Sequence, residues 1–231
     1  VDRYLDLERW PRRSTFDFFR GYSNPYFNVC ATLEVGPLVE LARSGPEVSF
    51  SLAYLYLSLR VANELEPFRY RIAGDRVVIH ERIHAGTTYL LEDERFVFAY
   101  FDYEDDFARF QRGAREAMAR ARNGSGELQP EDHRSDLIHY STLPWVSFTS
   151  ISHARHWGRE DSVPKITFGR ATEKDGQLHL PISVEVHHAL MDGLHVGRFF
   201  ERLQHCFAQP EAGLAGEVPG EVPAGSPGGQ N

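Results

Sequence analysis

Residues 177–207, "QLHLPISVEVHHALMDGLHVGRFFERLQHCF", constrain the fold more than any other part of the chain. Residues 177–188 alternate as a strand does. Leu180, Ile182, Val184 and Val186 share one face, and Pro181, Ser183 and Glu185 share the other. The strand must stop before the Asp192–Gly193 turn signal, and residues 196–207 then read as a helix with Val196, Phe199, Phe200, Leu203 and Phe207 on one side. The alternation also separates two adjacent histidines. His188 continues the apolar phase, whereas His187 belongs to the phase of Glu185. At the level of residue types several roles stay open. A histidine at a strand end is often an ordinary core residue, Asp192 can cap the following helix, and His188, Asp192 and His195 together have metal-ligand chemistry. No tight His/Cys cluster accompanies them, so no metal is expected.

The rest of the chain supplies the partners such a strand needs. Residues 48–65 form a helix pattern apolar nearly all round, which predicts burial on more than one side. "FRYRI" and "RVVIHERI" flank "AGD" and predict a hairpin, and residues 95–103 predict a strand. Residues 104–122 open with three acids and end in arginines, the charge order a helix dipole favours. Residues 143–151 and 165–171 read as further strands, and 122–132 as an exposed loop. The pattern predicts an α/β (α+β) fold with a mixed sheet flanked by helices in two layers. Residues 1–209 read as one domain. Residues 210–231, rich in Gly, Pro and Ala, read as a flexible tail, because they carry too little apolar surface to offset ordering entropy.

Charge excludes some partners. At a formal net charge of −8 the chain offers no basic face to neutralise nucleic-acid phosphates or to hold an anionic membrane. No apolar run is long enough to span a bilayer, and the N-terminal "VDRYLDLERW" lacks a basic-then-apolar signal pattern. The two cysteines, Cys30 and Cys206, do not make a disulfide framework. A cytoplasmic location with both thiols reduced is expected.

"VHHALMDGLHVGRF" resembles the active-site signature of the chloramphenicol acetyltransferase family, Gln-Val-His-His-Ala-x-x-Asp-Gly-Phe-His-Val. "STLPWVSFTS" (141–150) and "ERWPRRSTFDFF" (8–19) resemble two further blocks of that family, in order, and the resemblance covers roughly residues 3–208. It implies acetyl transfer from acetyl-CoA to a hydroxyl in a ternary complex, with no acyl-enzyme, by a homotrimer whose active sites lie between subunits. It implies that His188 is the general base, with its other ring nitrogen held by its own backbone carbonyl. It also implies that Ser141 donates to the oxyanion, that Thr167 orders a water, and that Asp192 pairs with Arg12, or with Arg13 if the register slips by one. Phe18, Phe19, Tyr26, Phe101 and Trp145 are the implied substrate-binding residues.

The chain departs from the family pattern at Glu185, Met191 and Leu194, and above all at "SHARHWGREDSVPK" (152–165), which is charged where the family is apolar. The resemblance implies chloramphenicol as the acceptor, and the charged segment motivates the alternative, a more polar hydroxyl compound. An idle trimeric binding protein is the remote third, and the intact His188, Asp192, Gly193 and Ser141 argue against it.

Overall fold

The computed structural model describes residues 3–124, 128, 130, 134–155 and 161–216. In chain order the elements are β1 (Arg3–Tyr4), α1 (Arg13–Phe19), β2 (Tyr26–Glu34), α2 (Gly36–Ser44), α3 (Phe50–Glu64), a 3₁₀ turn (Glu66–Arg69), β3 (Tyr70–Ala73) and β4 (Arg76–Ile79). There follow β5 (His84–Leu90), β6 (Phe96–Phe101), α4 (Phe107–Asn123), β7 (Leu137–Thr142), β8 (Lys165–Phe168), β9 (Thr172–Lys174), β10 (Gln177–His187), α5 (Gly193–Ala208) and α6 (Pro210–Ala215). The large sheet runs β2-β10-β8-β7-β5-β6, with β9 pairing the start of β10. It is mixed: β5, β7 and β8 are parallel to one another, and the pairs on either side of them are antiparallel. A small sheet, β1-β4-β3, flanks it.

The core lies between one face of the large sheet and the helices. Leu180, Ile182, Val184 and Val186 of β10 are all buried against them, as the alternation predicts. Helix α3 is buried from Leu52 through Ala62, which includes Ser58 and Arg60. Those two polar groups are satisfied: the Ser58 hydroxyl lies 3.2 Å from that of Tyr140, and Arg60 Nε donates to Glu64 at 2.9 Å. Asp106 caps α4 by accepting from the Arg109 amide at 2.8 Å. The predicted hairpin is present as β3–β4. A second, between β9 and β10, turns on Asp175 and Gly176, both at positive φ as a two-residue turn of this kind requires.

Two expectations are corrected. Residues 143–151 are not a strand. Leu137–Thr142 occupies the sheet position beside β8, and the chain turns at Pro144–Trp145, where proline has no N–H for a ladder. The domain boundary also moves. Residues 210–215 form α6, whose Gly213 packs so closely on α3 that a Cβ there would lie 2.9 Å from Leu57, and whose Gly213 carbonyl accepts from Arg60. Proline at its start and a left-handed Gly216 after its end fit helix boundaries. The proposed tail beyond residue 216, and most of the loop expected at 122–132, lie outside the described residues.

Candidate active site

The end of β10 delivers the two histidines to opposite faces. Val186 pairs with Phe27, and the His188 amide extends the ladder one rung by donating to Pro25 at 2.7 Å. The His188 ring, half-buried, stacks on Phe19 with centroids 3.9 Å apart and planes within 6°, and its centroid lies 4.7 Å from that of Phe27. His187 is buried on the other face, edge-on to Tyr26 at 5.2 Å. Burial, reinforced by Arg155 and opposed by Asp161, pushes the His187 pKa down to about 4, so this ring is neutral at physiological pH.

The turn after His188 is held by ions. Asp192 is the N-cap of α5 and accepts from the Leu194 amide at 3.1 Å, while His195 Nδ1 lies 3.1 Å from the Asp192 amide, completing a capping box. Arg12 donates to the Asp192 carboxylate and, at 3.4 Å, to the His188 carbonyl. Burial pulls the Asp192 pKa up, but the bond from Arg12 and the charges of His195 and Arg12 outweigh it and hold the carboxyl below the usual range. Arg13 is committed elsewhere, to Asp17 one helical turn on at 2.6 Å, which fixes the register on Arg12. One expectation fails. His188 Nδ1 is buried and finds no hydrogen-bond partner among the described residues, and the His188 carbonyl is engaged by Arg12. The ring instead lies flat on Phe19 and against Phe27.

Ser141 and Thr167 sit elsewhere. They pair in register across β7 and β8, and Thr167 pairs with Ser183 of β10, so all three project to the sheet face away from the helices. His188 lies five residues past Ser183 and on the opposite face, about 16 Å along the strand at 3.3 Å per residue. One chain therefore does not bring His188 together with Ser141 and Thr167.

The outer face is polar yet covered. Ser183, Glu185, His187 and Thr167 are buried under residues 143–155 and 161–164. Arg155, with only 5% of its side chain exposed, donates to Glu185 and to Asp161, both at 2.7 Å, and lies 3.7 Å over the Tyr26 ring. Residues 143–150 approach β8 so closely that a Cβ on Gly169 would lie 2.9 Å from the Val146 carbonyl. His156, Arg159 and Glu160 of the charged segment lie outside the described residues.

Among the expected substrate-binding residues, Phe18 and Trp145 are each 60% exposed, Phe19 carries the His188 stack, and Tyr26 is tied into the Arg155 network. Phe101 is corrected. It is buried on the helix side of β6, 5.5 Å from Phe110. The alternation of "FVFAYF" instead sends Phe96, Phe98 and Tyr100 to the outer face as an aromatic row, a signal that period-2 counting contains. Tyr22 was also missed. It is 47% exposed and clusters with Phe18 and Phe19. Cys30 and Cys206 are free thiols, and among the described residues no group of three His, Cys, Asp or Glu side chains is placed to hold a metal ion. Nor is any helix of the described residues long and apolar enough to cross a membrane.

Residues 3–204 match the family model described as chloramphenicol acetyltransferase. A chloramphenicol acetyltransferase of Streptomyces acrimycini is 32% identical over 208 residues, covering 89% of this chain and 94% of the relative. Chloramphenicol acetyltransferase 2 of Haemophilus influenzae is 28% identical over 206 residues, covering 87% and 94%. A solved chloramphenicol acetyltransferase superposes with a TM-score of 0.80 at 31% identity, covering 89% of this chain and 99% of that one. A dihydrolipoamide acetyltransferase of Azotobacter vinelandii shares the fold, with a TM-score of 0.64 at 17% identity, covering 87% and 88%.

Proposed function

Because the chain belongs to the chloramphenicol acetyltransferase family and is an acyltransferase, we propose that it transfers an acetyl group from acetyl-CoA to a hydroxyl of chloramphenicol, with His188 as general base. The carrying observation is the His188 ring, held flat on Phe19 at a turn that Arg12 and Asp192 clamp. An alcohol attacks a thioester only as its proton leaves, and imidazole titrates near neutral pH. His188 accepts the proton as the acceptor oxygen attacks the acetyl carbonyl. The Ser141 hydroxyl donates to the resulting oxyanion, and Thr167 orders a water beside it. Collapse breaks the C–S bond, and the departing thiolate recovers the proton from the imidazolium.

The separation of His188 from Ser141 supports a site shared between subunits. His188 with Phe18, Phe19 and Tyr22 forms one half, and Ser141 and Thr167 of a neighbouring copy the other, in a homotrimer. Both halves expose aromatic surface, Phe18 and Tyr22 on one and Phe96 on the other, which a neighbour would cover. A cytoplasmic location belongs to the same proposal.

Thiol release with acetyl-CoA and chloramphenicol tests it. The His188→Ala variant is expected to lose at least about 10²–10⁴-fold in kcat. Mixed trimers refolded from His188→Ala and Ser141→Ala chains should regain activity that neither parent has, because some interfaces then carry both intact halves. No complementation would place both residues in one chain's site and overturn the shared arrangement. The charged residues this chain carries at 152–165, where the family is apolar, favour a second acceptor, a more polar hydroxyl compound. Turnover of polar alcohols without turnover of chloramphenicol would select it.

A further inference from the structure

Residues 151–155 lie across the outer face of the sheet, and three pins hold them there. Asn28 Nδ2 donates to the Ile151 carbonyl at 3.2 Å, Lys165 Nζ donates to the Ala154 carbonyl at 2.7 Å, and Arg155 Nε donates to Glu185 at 2.7 Å. The segment alternates. Ser152 and Ala154 face solvent, while Ile151, His153 and Arg155 are turned inward. The pins bracket His153 and set its Nε2 3.3 Å from the Thr167 hydroxyl. Thr167 pairs with Ser141, so an imidazole stands one strand away from the proposed oxyanion donor.

Nothing in the proposed acetyl-transfer chemistry needs this second imidazole. The base is His188, and Thr167 needs only a water. Its burial is also unfavourable: loss of hydration pushes the His153 pKa down, toward the neutral ring. With Nε2 engaged by Thr167, Nδ1 is the ring atom left to meet a ligand.

We propose that His153 is a specificity-determining residue of the acceptor pocket. It presents an imidazole beside Thr167 that selects acceptors carrying a free amine next to the hydroxyl that is acetylated. The inference rests on the acyl-transfer reading above. A site built to hydrogen-bond a substrate rejects an analogue lacking the group more strongly than an apolar slot rejects a polar one, because its own polar atom is then left unpaired.

The test compares two acceptors that share one primary hydroxyl: chloramphenicol, and the amino-diol left when its dichloroacetyl group is removed. The readout is the ratio of their kcat/KM values. His153→Leu is expected to shift that ratio toward chloramphenicol by about tenfold, one lost hydrogen bond to the amine-bearing acceptor. His153→Gln, which keeps a hydrogen-bonding side chain, should leave it within about threefold. Both variants are checked for an unchanged trimer and thermal midpoint, and their ratio of activities does not depend on the amount folded. Acetyl transfer with the same ratio in wild type and His153→Leu would overturn this inference alone. Acetyl transfer to neither acceptor by the wild type would overturn the functional reading, and this inference with it.

Discussion

Strand β10 presents two buried faces that are buried for different reasons. On the helix side, Leu180, Ile182, Val184 and Val186 meet other apolar side chains, and loss of water from their surface is itself the driving force. On the outer side, Ser183, Glu185 and His187 are just as inaccessible, yet each needs a partner. Ser183 has Asn28, Glu185 has Arg155, and His187 lies against Tyr26 and accepts from the Ala189 amide at 3.2 Å. An apolar face tolerates many packings of the right volume, whereas a buried ionic face works only when every member is present. The proposed chemistry stands at the edge of the first face, with His188, and on the second, with Ser141 and Thr167.

Removing one member of the outer face should break that difference open most visibly. Arg155→Ala leaves Glu185 buried without its cation and is expected to cost about 3–5 kcal/mol in denaturant unfolding. Replacing both Arg155 and Glu185 by leucine should cost far less, because no unpaired charge remains. A double variant as unstable as the single one would show that the ion pair is not what holds this face. On the apolar face, Ile182→Ala removes buried methylenes and is expected to cost about 2–5 kcal/mol. That loss should not depend on salt.

The clamp between the faces should respond more weakly. Asp192→Ala removes an N-cap and a partly exposed ion pair, an expected loss of about 1–2 kcal/mol. Arg13→Ala, at a solvent-exposed helical pair, should stay within about 0.5 kcal/mol. If Arg13→Ala proved the more damaging of the two arginine changes, with Arg12→Ala as reference, the register of the clamp would be wrong.

Acid should distinguish the faces most gently. Burial puts His187 and His139 of the outer face at about 4, below the ordinary 6.5. An imidazole that binds its proton more weakly when folded is protonated first in the unfolded chain. Stability should therefore fall as pH drops from about 6.5 toward 4, and be flat with respect to these groups above that window. Asp192 acts lower. Its depressed carboxyl contributes stability that is present above the ordinary carboxylate value and lost as pH falls through its folded value. Thermal midpoints measured from pH 7 to 4 should show a shallower acid limb in His187→Asn than in wild type.

Much of the architecture was legible from local pattern. Alternation in 177–188 located β10 and assigned its faces, including the divergence of His187 and His188. Acids before Phe107 and arginines at its end marked α4, and "AGD" marked the β3–β4 hairpin. Residues 143–151 misled because their apolar and β-branched content fits a strand. The slot they would fill was taken by Leu137–Thr142, a competition decided between distant segments. Residues 210–215 misled in the other direction. Their composition is that of a tail, but a glycine facing Leu57 lets a short helix dock where a larger residue would not fit.

The site divides in the same way. The sequence by itself determined the two-histidine strand end, the Asp–Gly turn with its cap, and the signature that joins the chain to its family. Each is a short-range pattern that backbone periodicity and side-chain chemistry make readable. Only the tertiary structure decided that Arg12 rather than Arg13 clamps Asp192, that Phe101 faces the core, that Phe19 stacks on His188, and that His153 rests on Thr167. Those are contacts between residues up to 180 positions apart. They are fixed by sheet register and by which polar groups must find partners once buried, and no local pattern in the chain carries that information.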